Sequence, residues 1–388
     1  MATSREELLR EMRQPSLWQR LSAADWAWLG LVALATVATY AVLWEVMNHY
    51  EVVITAFTAA TMVGLGWHWS AAKTYMTLVC ALSLLAISRY PELAAAQNDF
   101  FLRYLLSSQS AIMWMSALFP AATLTYGVAL ASGNPFTARV GTALTWAGAA
   151  AGLIGLLVRW HETHLYAGGI GYIPVSNLYE VFVLFAVITA LIYLYYEAAQ
   201  NTRSMGFFVL LIISASIGFL LWYHFEREAY QIEPLVPALN SYWMKIHVPT
   251  NFIGYGCFAI AAMLGVAYLI RARVADDSPW AARLPTLKQI DEVSYRTIAL
   301  GFAFFTVATI LGALWAAEAW GRYWSWDPKE SWALIVWLNY AGWLHLRYTK
   351  GLRGKPMAWW AIVGLFVTTF AFLGVNMFLS GLHSYGEL

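Results

Sequence analysis

The sequence predicts an all-α fold, a polytopic bundle of about eleven transmembrane helices. Of its 388 residues, 60% are hydrophobic and only 12% are charged, whereas a soluble domain carries about 25% charged residues. Apolar runs long enough to cross a bilayer recur along the chain. We expect each run to be a helix, because backbone polar groups inside a bilayer must be satisfied within the segment.

The eleven predicted spans have lengths that suit a hydrocarbon core of about 30 Å at about 1.5 Å per residue. They are residues 26–47, 51–69, 73–89, 109–130, 139–159, 176–197, 204–223, 249–270, 293–318, 330–348 and 357–380. The second and third are short and closely spaced. Segment 90–108 mixes polar and apolar residues, which fits an interfacial helix and a connecting loop equally well.

Lysine and arginine predict the orientation of the bundle. With the N-terminus in the cytoplasm, 16 of the 23 Lys and Arg residues fall on the cytoplasmic side, so the positive-inside rule favours N-in and C-out. We divide the chain into a cytoplasmic segment 1–25, N-terminal transmembrane helices 26–158, and a region 159–388 that carries the candidate site. The polar first 25 residues do not resemble a cleavable signal peptide.

Charge and cysteine content exclude several functions. A net charge of +1 gives no basic surface for nucleic acid. Cys80 and Cys257 lie far apart in apolar spans, so they form neither a zinc set nor a redox pair. Any chemistry of this protein therefore does not depend on its own cysteines.

The densest motif is a tryptophan-rich stretch, WGRYWSWDPKESWALIVW, at 320–337. Residues 315–343 contain 7 of the 21 tryptophans. Pro328 favours a helix start and disfavours helix at Asp327, which predicts a short ordered loop over 320–327 and a helix over 328–348. Such a loop offers a flat apolar surface with N–H donors at its edges. A membrane-interface belt is the alternative, but a belt is scattered over many helix ends.

The order WGxxWxWDP followed by KESW resembles the WWD motif of heme-handling cytochrome c biogenesis proteins. The chain is similar to the CcsA/ResC family, the membrane subunit of the System II cytochrome c synthase, over most of 159–388. This resemblance implies that heme b, in its reduced state, is the group handled. It also implies a CcsB/ResB-type membrane subunit and an apocytochrome c with a CxxCH segment as partners.

Topology separates the histidines into groups. His247, just before span 249–270, and His383, just after the last span, are both predicted on the outer side, level with the tryptophan loop. Two imidazoles on either side of a flat aromatic site are what bis-axial ligation of heme iron requires, and the resemblance matches both to external heme ligands. The alternative is a pair of hydrogen-bonded interfacial residues.

His345 lies near the inner end of span 330–348, where an ionisable group is costly and usually functional or paired. The resemblance matches it to a ligand of the heme that arrives from the cytoplasmic side, with the second ligand in the partner subunit. Snorkelling to the interface is the alternative, and His68 lies at a comparable depth. His161 and His164 form an HxxH pair without a third ligand, which favours polar loop residues over a metal site.

The remaining site residues surround the tryptophan loop. We expect Trp320, Trp324 and Trp326 to hold the porphyrin, Asp327 to cap the next helix or accept from an indole N–H, and Arg322 and Lys329 to pair with heme propionates. Ser176 or Asn177 is expected to cap the sixth span, with Glu180 in its first turn.

The resemblance implies a cytochrome c biogenesis protein that has holocytochrome c synthase activity together with its partner subunit. We expect it in a bacterial inner membrane, with its site on the periplasmic face. Heme would be held at the outer site while the thiols of the CxxCH segment add to it; this last step is implied by the resemblance alone. One alternative is a heme exporter or chaperone without ligation activity. Another is a b-type electron-transfer subunit, although such subunits usually place their ligand histidines mid-helix.

Overall fold

The computed structural model describes residues 17–166 and 171–382. Within these ranges the chain forms helices and no strand, which confirms the predicted all-α class. The eleven long helices there are α1 (Ala23–Leu43), α2 (His49–His68), α3 (Ser70–Ser88), α4 (Ser108–Ser132), α5 (Pro135–Leu165), α6 (Leu178–Gln200), α7 (Gly206–Arg227), α8 (Met244–Arg271), α9 (Leu287–Trp320), α10 (Pro328–Thr349) and α11 (Lys355–Thr369). Helix α11 continues through a π-helical turn, Phe370–Gly374, into Val375–Phe378.

Ten of these helices are long and apolar enough to cross a membrane, so the protein is a multi-pass membrane protein. The exception is α10, which corresponds to predicted span 330–348 and has 22 residues. Its sequence includes Lys329, Glu330, Asn339 and His345, and these polar side chains lower its hydropathy. The predicted number of helices therefore holds, with one helix less apolar than the others.

Segment 90–108 is neither one continuous interfacial helix nor a loop without helical structure. It contains a single helical turn, Ala95–Asn98, and a π-helical turn, Leu102–Leu106. Leu102 and Leu106 are both buried, so the segment packs against the protein.

The chain divides into two compact units, the first ending at Thr77 and the second beginning at Leu78. In the first unit α1 and α2 pack together through Trp28, Val32 and Val63. The indole N–H of Trp28 donates to the Met62 carbonyl at 3.0 Å, and Lys73 forms an ion pair with Asp25 at 2.5 Å.

The second unit is built around α8, which contacts α6, α7, α9 and α11. Residues 257–262 of α8 are all buried, as expected of a helix surrounded by others. Because α8 is central, its first turn, which carries His247, lies against neighbouring helices.

Candidate functional site

The tryptophan-rich loop has the predicted boundaries. Helix α9 ends at Trp320, and α10 begins at Pro328. Asp327 is the N-cap of α10 and accepts from the Lys329 N–H at 2.9 Å, which confirms the expected cap. The Glu330 carboxylate accepts from the backbone N–H groups of Ser325 at 2.7 Å and Asp327 at 3.2 Å. Two carboxylates thus fix the end of the loop.

A cavity of about 230 Å³ lies beside this loop. Its walls come from α8, α9, the start of α6, the start of α10 and the π-helical turn after α11. The aromatic side chains that line it are Phe252, Tyr255, Phe305, Trp315, Trp320, Tyr323, Trp324 and Phe372. Apolar walls with a few polar groups are typical of a small-molecule site.

His247 lines the cavity and is half-buried. Its Nδ1 lies 2.9 Å from the carbonyl oxygen of Ala308 on α9. A carbonyl only accepts, so Nδ1 carries the proton and Nε2 is the nitrogen with a ligating lone pair. Metal-ligating histidines usually donate their second ring N–H in this way. The orientation of His247 therefore suits a metal ligand.

The seven tryptophans of 315–343 have different environments. Trp315, Trp320 and Trp324 line the cavity. The indole N–H groups of Trp337 and Trp343 donate to Thr306 and Met357, and Trp332 contacts Phe370. Trp326 has a left-handed φ of 59° and is 70% exposed, with its ring edge-on to Trp324 at 5.8 Å. Trp326 therefore stands outside the cavity.

The indole N–H of Trp324 is buried and has no hydrogen-bond partner in the described part of the chain. A buried donor without a partner costs roughly 1–3 kcal/mol.

The two expected propionate partners differ in position. Lys329 lines the cavity, and its Nζ donates to the Phe372 carbonyl at 3.0 Å and to Asn376 Oδ1 at 2.9 Å. Arg322 is exposed and does not line the cavity. Lys329 is therefore the better placed of the two for an anionic group.

Asp327 also contacts the C-terminal segment. Its Oδ2 accepts from the backbone N–H of Leu382 at 2.7 Å. His383 follows Leu382 directly in sequence but lies outside the described residues, so its expected role as second axial ligand stays a prediction.

His345 is far from this cavity. It lies 17 residues beyond Pro328 on α10, roughly 25 Å along the helix axis, and its side chain is exposed. His68, the alternative inner ligand, is the last residue of α2, and its Nδ1 is 2.8 Å from the Gly64 carbonyl. In the described ranges no group of three or more His, Cys, Asp or Glu side chains could hold a metal ion.

A buried ion pair contacts residues that form the wall of the cavity. Arg159 and Glu180 are both fully buried, with Nε and Oε1 at 2.7 Å. Glu180 also accepts from Ser176, and Asn177 caps α6, as predicted; both line the cavity. This carboxylate therefore connects Arg159 to the cavity wall.

Arg159 also holds the segment before α8. It donates to the carbonyls of Tyr230 at 2.7 Å and Gln231 at 3.0 Å. The hydroxyl of Tyr172 donates to the Glu233 carbonyl at 2.6 Å. Burial raises the pKa of Tyr172 to about 12, so this hydroxyl keeps its proton at neutral pH.

Sequence reasoning missed several lining residues. Asn251 and Tyr255 follow His247 at intervals of four on α8 and face the same cavity. This helical spacing was readable from the sequence. Phe372 and Asn376 depend on the π-helical turn after α11, which no pattern indicated.

Comparison with known proteins identifies the family. Residues 175–383 match the model of the family described as "Cytochrome C assembly protein". The chain is 37% identical over 254 residues to a "Cytochrome c biogenesis protein CcsA" of Guillardia theta, covering 59% of this chain and 80% of the relative. A relative of the same name from Chlamydomonas reinhardtii is 40% identical over 237 residues. That match spans 60% of this chain and 64% of the relative, which is less than two thirds of its length.

Among solved structures, a chain titled "Cytochrome c Heme Lyase CcmF" matches with a TM-score of 0.50 and 19% identity, over 70% of this chain and 49% of that chain. This chain thus spans about half the length of that structure, and the likeness concerns the fold alone. The family match covers more than half of the chain and includes the tryptophan-rich loop and His247. The protein therefore belongs to the cytochrome c assembly protein family, as a CcsA-type member that takes part in cytochrome c biogenesis.

Proposed function

We propose that the cavity binds heme with His247 and His383 as axial ligands and supports its covalent attachment to the CxxCH segment of an apocytochrome c. The observation that carries the proposal is the hydrogen bond from His247 Nδ1 to the Ala308 carbonyl at 2.9 Å. It fixes the tautomer and directs ligation to Nε2, as in other metal-bound histidines.

The other cavity residues suit the rest of the heme. The faces and edges of Trp315, Trp320 and Trp324 provide apolar contact for the porphyrin. The unpartnered N–H of Trp324 and the ammonium of Lys329 suit a propionate, since a partly buried carboxylate requires donors. We assign Trp326, Asp327 and Arg322 to the rim of the site, with Asp327 holding the C-terminal segment.

In this function the heme supplies the iron and two vinyl groups. Each CxxCH thiol adds across one vinyl group: a carbon–sulfur bond forms, and the thiol hydrogen goes to the other vinyl carbon. The substrate's histidine takes the place of one protein imidazole on the iron. This chain binds and orients the reactants and excludes water. We propose that the heme iron is reduced when the thiols add.

We further propose an inner site that contains His345. Its exposure on α10 suits a ligand shared with a second protein, and we infer a histidine of a CcsB/ResB-type membrane subunit. The lysine and arginine distribution supports an orientation with the cavity on the outer side of the membrane. We propose that this membrane is a bacterial inner membrane, with the cavity on its periplasmic face.

The test is co-expression with the partner subunit and an apocytochrome c, followed by detection of heme that stays on the cytochrome after denaturation. We expect covalent heme with this chain and none with His247→Ala. Heme bound to the membrane protein without any covalent product would support a heme exporter instead. A complex that contains no heme would contradict the proposal.

A further inference from the structure

The imidazole of His247 packs along one face of α9. The carbonyl of Ala308 accepts the Nδ1 proton at 2.9 Å. One turn later, a Cβ at Gly312 would lie 2.8 Å from His247 Cε1, so the ring occupies the space that a side chain would fill. Next along this face, the ring of Trp315 lies edge-on to the imidazole at 5.7 Å. Only glycine at 312 leaves room for the ring.

Glu318, at the end of the same face, binds the residues immediately before α8. One oxygen, Oε2, accepts from the indole N–H of Trp243 at 2.8 Å and from the hydroxyl of Tyr242 at 3.0 Å. The Trp243 carbonyl accepts from the N–H of His247 at 2.8 Å. Glu318 therefore binds Trp243, the residue one helical turn before His247 whose carbonyl accepts from the His247 N–H.

The first turn of α8 needs such external contacts. Pro249 lies inside α8, two residues after His247. Proline has no N–H, so the Lys245 carbonyl loses its bond from residue 249 and the helix is weakened at this turn. Glu318 on α9 provides external contacts next to this turn, through Tyr242 and Trp243.

We propose that Gly312 and Glu318 are positioning residues that hold His247 Nε2 toward the iron of a bound heme. This inference rests on the proposed heme site. Helix α9 also ends at Trp320 and leads into the tryptophan-rich loop. A single helix thereby sets the position of the imidazole and of the aromatic surface relative to each other.

The test measures the heme content and absorption spectrum of the purified full chain with its partner subunit, with and without added imidazole. We expect Glu318→Ala and Gly312→Ala to weaken heme binding by about 10-fold or more, the range seen when outer-shell partners of metal ligands are lost. Added imidazole should restore the spectrum, because free imidazole needs no positioning. Glu318→Gln keeps an acceptor oxygen and should retain heme.

Matched controls come from the same chain. Glu292 is an exposed carboxylate of α9 that pairs with Arg296 at 2.7 Å, and a Cβ at Gly218 would meet nothing within 4 Å. We expect Glu292→Ala and Gly218→Ala to retain heme. Replacing His247 by Gly empties the space beside Gly312, so Gly312→Ala should add no further loss in that background.

The outcomes separate this inference from the proposed function. If His247→Gly leaves heme content unchanged, the heme site itself is wrong. If His247→Gly loses heme but Glu318→Ala and Gly312→Ala retain it, only the positioning roles are wrong. Losses that imidazole does not restore, or that add to the loss from His247→Gly, would also overturn the positioning roles.

Discussion

The carboxylate of Asp327 binds the backbone N–H of Leu382 at 2.7 Å through Oδ2, while its Oδ1 caps α10 through the Lys329 N–H at 2.9 Å. A single buried side chain therefore joins the tryptophan-rich loop to the segment that precedes His383. Each oxygen accepts from a different backbone donor, so a substitution can remove one of these two hydrogen bonds and keep the other.

Substitutions of Asp327 test this division. An asparagine has one acceptor oxygen, which can keep the cap, since Asn is a good N-cap; its NH2 group cannot accept from Leu382. We expect Asp327→Asn to keep thermal stability but lose heme, and added imidazole to restore the heme spectrum. Asp327→Ala should also lose about 1 kcal/mol of stability with the cap. Wild-type heme content in Asp327→Asn would contradict the role of the Leu382 bond.

Trp324→Phe tests the unpartnered indole N–H. Removing a buried, unsatisfied donor should leave the heme-free protein as stable as before or slightly more stable. If the N–H binds a propionate, the loss of a bond to a charged group, about 1.5–3 kcal/mol, should weaken heme binding by about 10- to 100-fold. Trp326→Phe, at an exposed position outside the cavity, should have a smaller effect. Equal heme affinities of the two variants would argue against this use of Trp324.

Lys329 and Arg322 make a second matched pair. Lys329 lines the cavity and Arg322 does not, so we expect Lys329→Met to lower the heme content and Arg322→Met to leave it nearly unchanged. The measurement is heme retained per chain after purification at a fixed salt concentration. A larger loss with Arg322→Met would reverse our assignment of the propionate partner.

Arg159→Met should destabilise the protein without direct contact with heme. The substitution leaves Glu180 buried without its cation and the carbonyls of Tyr230 and Gln231 without this donor. Breaking a buried pair in this way costs about 3–5 kcal/mol, which thermal denaturation in detergent measures. Arg296→Met, which breaks an exposed pair, should change stability by about 0.5 kcal/mol or less. Similar melting temperatures for both variants would contradict a structural role of Arg159.

The sequence was informative where local chemistry decides the structure. Pro328 and Asp327 set the start of α10, and apolar run lengths set the helices, because capping and hydrophobic length act over a few residues. It could not indicate that Gly312 makes room for an imidazole 65 positions earlier in the chain, or that Trp326 faces away from the cavity. Those features depend on how α8 packs against α9 and on a left-handed φ at Trp326, which no periodicity encodes.

The central claim is that His247 Nε2 and His383 ligate heme iron beside the tryptophan-rich loop. The most direct measurement is the absorption spectrum of the purified complex for His247→Gly and His383→Gly, with and without imidazole. We expect each variant to lose the six-coordinate spectrum and to regain it when imidazole is added. Spectra that match the wild type in both variants without imidazole would contradict the account.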